Sequence, residues 1–417
     1  MSGPGNRRVM TNPMNETLDP ETSRQGKQTL GGRSPQLGRR LAMASALALV
    51  VGACSGAGFP GFEQTPVVPA TPGNAGGVKI ALILPLTAGG QTAIVANSLK
   101  NAGELALAEA NSPNVQLIVK DDRGTADGAS AAAQEALTEG AELIVGPLLA
   151  ANVQAAAAVA RPAGRSMIAF SSDASVATRG VYLLSFMPAT DVQRVVSFAA
   201  SQGKRSFAAL VPDTAYGQVT SGAFQETVSH AGGRVVALEH YGADHNQMIE
   251  TVKRLAPALQ QADALFIPDA ADTLPGILEA LTGNGVDLKR VKLIGTGQWN
   301  DPKLFRLPQM QGAWFPAPET AGFNAFAQRY RAKFSSEPTR TATLSYDALS
   351  LAAALVRTQG SQRFSESVLT NPSGFAGADG LFRFRADGSS ERGLAVLEMR
   401  NGSTAVVSGA PKSFSGS

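Results

Sequence analysis

The feature that most constrains this chain is a twice-repeated alternation of short apolar runs and helical spacings. Residues 78–84 form a short apolar run, with Lys79 its one charged residue, closed by Pro85, as expected of a parallel strand buried on both faces. A helical spacing of Leu99, Ala102, Leu105 and Ala106 follows within 94–111. Strands are then expected at 115–119, 143–145 and 166–170, with helices at 126–139 and 151–160. This β-α-β-α-β-α-β order specifies a parallel sheet with helices on both faces. A second series begins with a helix at 191–202 and strands at 207–211, 235–238, 264–267 and 291–294. Helices at 218–231, 247–255 and 271–282 separate those strands. Two such series predict an α/β protein of two doubly wound parallel-sheet lobes.

The remainder of the chain predicts how the lobes are joined. Helices are expected at 323–334 and 341–359, and a β-rich stretch at 380–407 turns at Asp387-Gly388. A late helix pair followed by late strands implies that the chain revisits both lobes through hinge crossings. The predicted organisation is 78–188 plus 319–378 for the first lobe and 189–318 plus 379–409 for the second, with a tail at 410–417. Ligands of such sheets bind outside the carboxyl ends of the strands, which points to the cleft between lobes.

Before the first strand the composition changes. Arg39 and Arg40 precede an uncharged run, 41–53, which ends in Val51-Gly52-Ala53 before Cys54, the only cysteine. A basic start, a short apolar core and small residues at its end make a secretory signal, and thirteen residues are too few for a membrane-spanning helix. The Val-Gly-Ala-Cys ending resembles a bacterial lipobox, which implies that Cys54 carries lipid. The alternative is a free buried thiol beside an ordinary signal site. Residues 1–53 therefore read as a leader with a lipoprotein signal. Residues 54–77, with Pro60, Pro66, Pro69 and Pro72 among Gly, Ala and Thr, read as a disordered tether. The expected location is the periplasm, anchored by lipid to the inner or outer membrane. Ser55 is not the acidic residue that, in related Gram-negative lipoproteins, retains the anchor at the inner membrane.

The formal net charge of the whole chain is +3. The leader contributes a net +4, so the remainder sits near −1 and lacks the basic surface that nucleic-acid binding needs. No second cysteine is present for an internal disulfide. No dinucleotide, P-loop, nucleophile-elbow or zinc-protease motif occurs, and no cofactor is expected. His230, His240 and His245 have no paired zinc-ligand spacing, so no metal site is expected. Asp121-Asp122 at a strand end suits a loop or helix N-terminus better than a cation site. Nothing here assembles an active site, and an enzyme is not expected.

Several local patterns together resemble the periplasmic binding proteins of the branched-chain amino-acid (leucine-binding) type. They are the start at 80–86, Gly146-Pro147, Phe170-Ser171-Ser172, Asp213-Thr214-Ala215-Tyr216-Gly217, Ser345-Tyr346-Asp347-Ala348-Leu349 and 377–384. The resemblance spans 78–407 and implies two lobes with three hinge crossings closing on a small solute. It also implies delivery of an amino acid or related molecule, such as an amide, to an ABC transporter permease. Carried across by position, the implied ligand contacts are Ser172 or Ser175 and Tyr216, with Asp244 near the place of the acidic partner for an α-ammonium. By the tightest register that place falls on Ala243, and 148–151 lacks the family's hydroxyl. Ser172 and Ser175 equally suit capping, and Tyr216 a scaffold contact. Asp213 reads as a helix cap, Trp299 and Trp314 as packing, and Asp347 as a structural ion pair or hinge contact. The chain also resembles the periplasmic-binding-protein-like part of penicillin-binding-protein activators. That alternative implies docking on a penicillin-binding protein, although the helical-repeat N-terminal domain of the best-known members is absent.

Overall fold

The structure, a computed structural model, describes residues 77–414. The leader, Cys54 and nearly all of the expected tether lie outside the described residues.

The first lobe is built from β1 (Val78–Leu84), α1 (Gly90–Ala110), β2 (Val115–Asp121), α2 (Ala126–Thr138), β3 (Leu143–Val145), α3 (Ala150–Ala160), β4 (Ser166–Ala169) and β5 (Val181–Leu183). Its sheet runs β2-β1-β3-β4-β5, all parallel. From Ile80 to Leu84 the apolar run of β1 is continuous because both faces are covered. Ile80, Leu82 and Leu84 enter one core cluster, while Ala81 and Ile83 enter another against the alanine-rich α2 and α3. The two-residue period of a strand thus sends alternate side chains to opposite helix layers.

The second lobe repeats this order with α4 (Pro188–Ser201), β6 (Ser206–Pro212), α5 (Ala215–His230), β7 (Arg234–Tyr241), α6 (His245–Leu259), β8 (Ala264–Phe266), α7 (Leu274–Gly283), β9 (Lys292–Ile294), α8 (Pro302–Phe305) and β10 (Trp314–Ala317). In β6, Ala208 and Leu210 face one cluster while Phe207, Ala209 and Val211 face the other. Strand β14 (Ala395–Arg400), antiparallel to β10, and β15 (Ser403–Ser408), antiparallel to β14, complete the sheet, giving the order β15-β14-β10-β9-β8-β6-β7.

Between β10 and β14 the chain returns to the first lobe as α9 (Thr320–Phe334), α10 (Ala342–Thr358), α11 (Glu366–Leu369), β11 (Phe375–Gly377), β12 (Gly380–Phe384) and β13 (Ser390–Arg392). Helix α10 lies along α1 and supplies Leu344, Ala348, Leu349 and Ala352 to the first lobe's core. The small antiparallel sheet β11-β12-β13 belongs there too, since Phe382 and Phe384 are buried in the same cluster. Residues 379–392, expected in the second lobe, are therefore placed with the first by their aromatic side chains. The chain then crosses to β14 near Gly393. The described part of the expected tail also returns: Phe414 is buried, with Arg383 over its ring and Gly374 against its edge. Among the described residues no helix is long and apolar enough to cross a membrane.

Candidate functional site between the lobes

In both sheets the second strand lies on one side of the first and the third on the other, so the connections part at the carboxyl ends. Loops leaving those ends converge on one cavity of ≈ 340 Å³. Ser172 reaches it from the loop after β4, and Phe186 and Pro188 from the crossing after β5. Tyr216 comes from the start of α5, Gln298 and Asn300 from the loop after β9, and Pro318 from the crossing after β10. Arg340, ahead of α10, completes the wall on the first lobe's side.

Tyr216 is placed by local sequence. Thr214 caps α5 by accepting the Gly217 N–H at 3.1 Å. Gly217 lets the helix start abut β6, because a Cβ there would stand 1.8 Å from the Pro212 carbonyl oxygen. The Tyr216 hydroxyl donates to Thr296 Oγ1 at 2.8 Å, and burial pushes its pKa upward.

Asp191 lies in the first turn of α4 and is buried. Its Oδ2 accepts the Gly297 N–H at 2.8 Å. Burial raises its pKa to about 7, against the opposing pull of that single donor.

Arg340 is held by a different arrangement. Its Nη1 and Nη2 each donate to one oxygen of Asp379 at 2.8 Å, and the Asp379 side chain has no solvent exposure. Thr343 Oγ1 also donates to Asp379 Oδ2. The guanidinium lies over the rings of Phe186 and Phe323, at 4.8 and 4.6 Å from their centroids. Behind it sits a second buried pair: Arg392 Nη1 is 3.8 Å from Asp347 Oδ2, and Asp347 Oδ1 accepts the Ala378 N–H at 2.6 Å. Burial raises Asp347 to about 7 despite Arg392. Asp347 thus makes a structural ion pair beside the hinge, and Arg392 lies over Phe186 as well.

Of the residues singled out from sequence, Ser172 and Tyr216 meet at this cavity, whereas Ser175 and Asp244 do not line it. Asp173 Oδ1 accepts the Ser175 N–H at 2.9 Å, which folds Ser175 into a short local turn. Asp244 is exposed and caps α6, accepting the Gln247 N–H at 2.9 Å, so its carboxylate is spent on the helix start. Thr214 rather than Asp213 caps α5. Trp299 is fully buried in the second lobe's core, and Trp314 Nε1 donates to Glu398 at 2.8 Å. Asp121 accepts from Thr87 Oγ1 at 2.6 Å and from the Arg123 N–H at 2.9 Å, which makes it a loop cap. Among the described residues no group of His, Cys, Asp and Glu is arranged to hold a metal.

Sequence reasoning missed Arg340, Asp191, Gln298 and Asn300. For Asp191 a signal existed: it opens an expected helix directly after the first sheet, which is where the first crossing must fall. A larger hollow of ≈ 660 Å³ lies elsewhere, beside Arg161, Arg165 and Arg179. It sits at the amino ends of β4 and β5, near Ser166 and Gly180, away from the loops that line the interlobe cavity.

Two doubly wound lobes sharing a cavity of mixed polar and apolar lining at their strand ends define a hinged α/β binding protein. The chain belongs to the periplasmic binding protein family, a family of non-catalytic solute-binding proteins, whose sequence profile matches residues 77–404. No curated protein matches the chain by sequence. Its fold is similar to that of a Rhodospirillum rubrum protein assigned to a branched-chain amino acid ABC transporter, with TM-score 0.71 and 19% identity over 79% of this chain and 100% of that one. A Rhodopseudomonas palustris BisB5 solute-binding protein in complex with 3,4-dihydroxybenzoic acid has TM-score 0.57 and 21% identity over 80% and 96%. A leucine-binding protein from Thermotoga maritima MSB8 has TM-score 0.56 and 20% identity over 79% and 97%.

Proposed function

We propose that this protein is the solute-binding component of an ABC transporter, taking an amino acid or a related small organic acid between its lobes. The observation that carries the reading is the ≈ 340 Å³ cavity walled by polar groups from both lobes, Ser172 and Arg340 on one side and Tyr216, Gln298 and Asn300 on the other. A solute touching both walls binds the closed arrangement better than the open one and shifts the population toward it. The permease then reads closure. The relatives with bound or named solutes, one for leucine and one for an aromatic acid, support this size and class of ligand. Ser172 and Tyr216 are the proposed contacts from the two lobes.

The same reading places the protein in the periplasm, lipid-anchored through Cys54 to the inner or outer membrane, with the stretch after Cys54 acting as its leash. Mass spectrometry of the membrane-extracted protein tests this: the mature N-terminus is expected at a lipid-modified Cys54, and an unmodified N-terminus elsewhere contradicts it.

A thermal-shift panel of amino acids, their amides and benzoates tests the solute reading. Ligand at a hundredfold its Kd adds about 2.7 kcal/mol to stability, enough to raise Tm visibly. No shift with any solute, together with co-purification of a penicillin-binding protein, would instead favour an envelope regulator.

A further inference from the structure

Resting on the solute-binding reading, we infer that Arg340 selects the solute, and that the solute is an organic carboxylate seated on the Nε–Nη2 edge of its guanidinium. An arginine presents two forks, one between Nη1 and Nη2 and one between Nε and Nη2. Here the first is closed, since Asp379 takes one bond from each Nη at 2.8 Å. The remaining contact, Nη1 to Thr343 Oγ1 at 3.5 Å, also lies on the closed side. Among the described residues Nε donates to nothing. The second fork therefore stands open on a cavity wall, and a carboxylate is the group whose geometry matches it in two parallel bonds.

The surroundings fix this fork in place. Asp379 is sealed from solvent and cannot swing away. The rings of Phe186 and Phe323 hold the guanidinium without supplying an acceptor. Such an arginine is pre-organised, so little side-chain entropy is lost when a ligand arrives. Phe186 together with Pro188, Pro316 and Pro318 lines the rest of the cavity and offers apolar walls for the body of the acid. Asp379 belongs to the turn that leads into β12, so the ligand's charge is also tied to the segment that carries the chain back toward the second lobe.

Titration calorimetry on the full chain tests the inference with matched pairs: benzoate against benzamide, 4-hydroxybenzoate against its amide, L-leucine against L-leucinamide, and 4-methylpentanoate against its amide. The expected result is an acid binding at least about tenfold tighter than its own amide, a ratio that collapses in Arg340→Gln and falls partly in Arg340→Lys, which keeps the charge and loses the fork. Ser172→Ala is expected to weaken acid and amide alike. If Arg340→Gln fails to fold because Asp379 is left unpaired, the pair Arg340→Gln/Asp379→Asn carries the same test. An amide equal to its acid, or a ratio that survives Arg340→Gln, overturns the inference while solute binding stands. Silence from all these compounds overturns it too, and the wider thermal-shift panel then decides whether solute binding survives. The two sources of carboxylate separate on Asp191→Asn: loss for leucine alone marks an amino acid, and loss for neither marks a simple acid.

Discussion

The carboxyl of Asp191 lies at the cavity's edge with one hydrogen-bond donor, the Gly297 N–H, and no ion-pair partner among the described residues. Between about pH 4 and pH 7 the folded state holds a proton there that the unfolded chain has released. Stability from this group therefore falls as pH rises through that window, and the whole cost is present above pH 7. The rise from 3.8 to about 7 corresponds to about 4 kcal/mol at most. Asp191→Asn keeps an acceptor for Gly297 and cannot ionise. Its Tm is expected to gain on wild type as the buffer moves from pH 5 to pH 8. A difference that is the same at both pH values contradicts the assignment. At this scale the sequence was half legible. Tyr216 and Ser172 follow strand ends at positions matched by the family resemblance, and that resemblance named them. Arg340 did not announce itself, because Phe186 meets it only after two crossings and Asp379 lies 39 residues further along the chain.

Helix α5 illustrates what was readable at the next scale. The sequence placed it at 218–231 with Asp213 as its cap, and it begins three residues earlier because Thr214 caps it. Gly217 is required by the close approach to Pro212 rather than by its own backbone angle. Gly217→Ala is expected to cost about 2 kcal/mol or more by forcing α5 off β6, read as a lowered denaturant midpoint with an unchanged m-value. No change in midpoint would mean that α5 does not sit against β6 as described. Strands β5 and β10 escaped sequence reading, and β10 carries Pro316 within it, which reads as a break rather than a strand. Strand β12 was read as a strand and assigned to the wrong lobe, since nothing local to Phe382 and Phe384 says which core they fill. Phe384→Ala is expected to cost about 3–5 kcal/mol through a first-lobe cavity. Hydrogen exchange in β1, β3 and β4 should speed up more than in β6 and β8, and the opposite pattern contradicts the placement.

For the whole molecule, the duplicated alternation was enough to specify two lobes and a cleft, because buried parallel strands write their burial as continuous apolar runs. How the lobes are tied was less legible, since the return of Phe414 to the first lobe depends on one ring and a glycine far away in sequence. The functional proposal turns on which hollow takes the solute. Calorimetric titration of the best-binding acid or amino acid into wild type, Tyr216→Ala and Arg165→Ala decides this most directly. Tyr216 lines the interlobe cavity and Arg165 the larger hollow on the first lobe. The expected result is affinity reduced at least about tenfold by Tyr216→Ala, in line with losing a desolvated aromatic contact, and unchanged by Arg165→Ala. Affinity lost with Arg165→Ala and kept with Tyr216→Ala would contradict binding between the lobes.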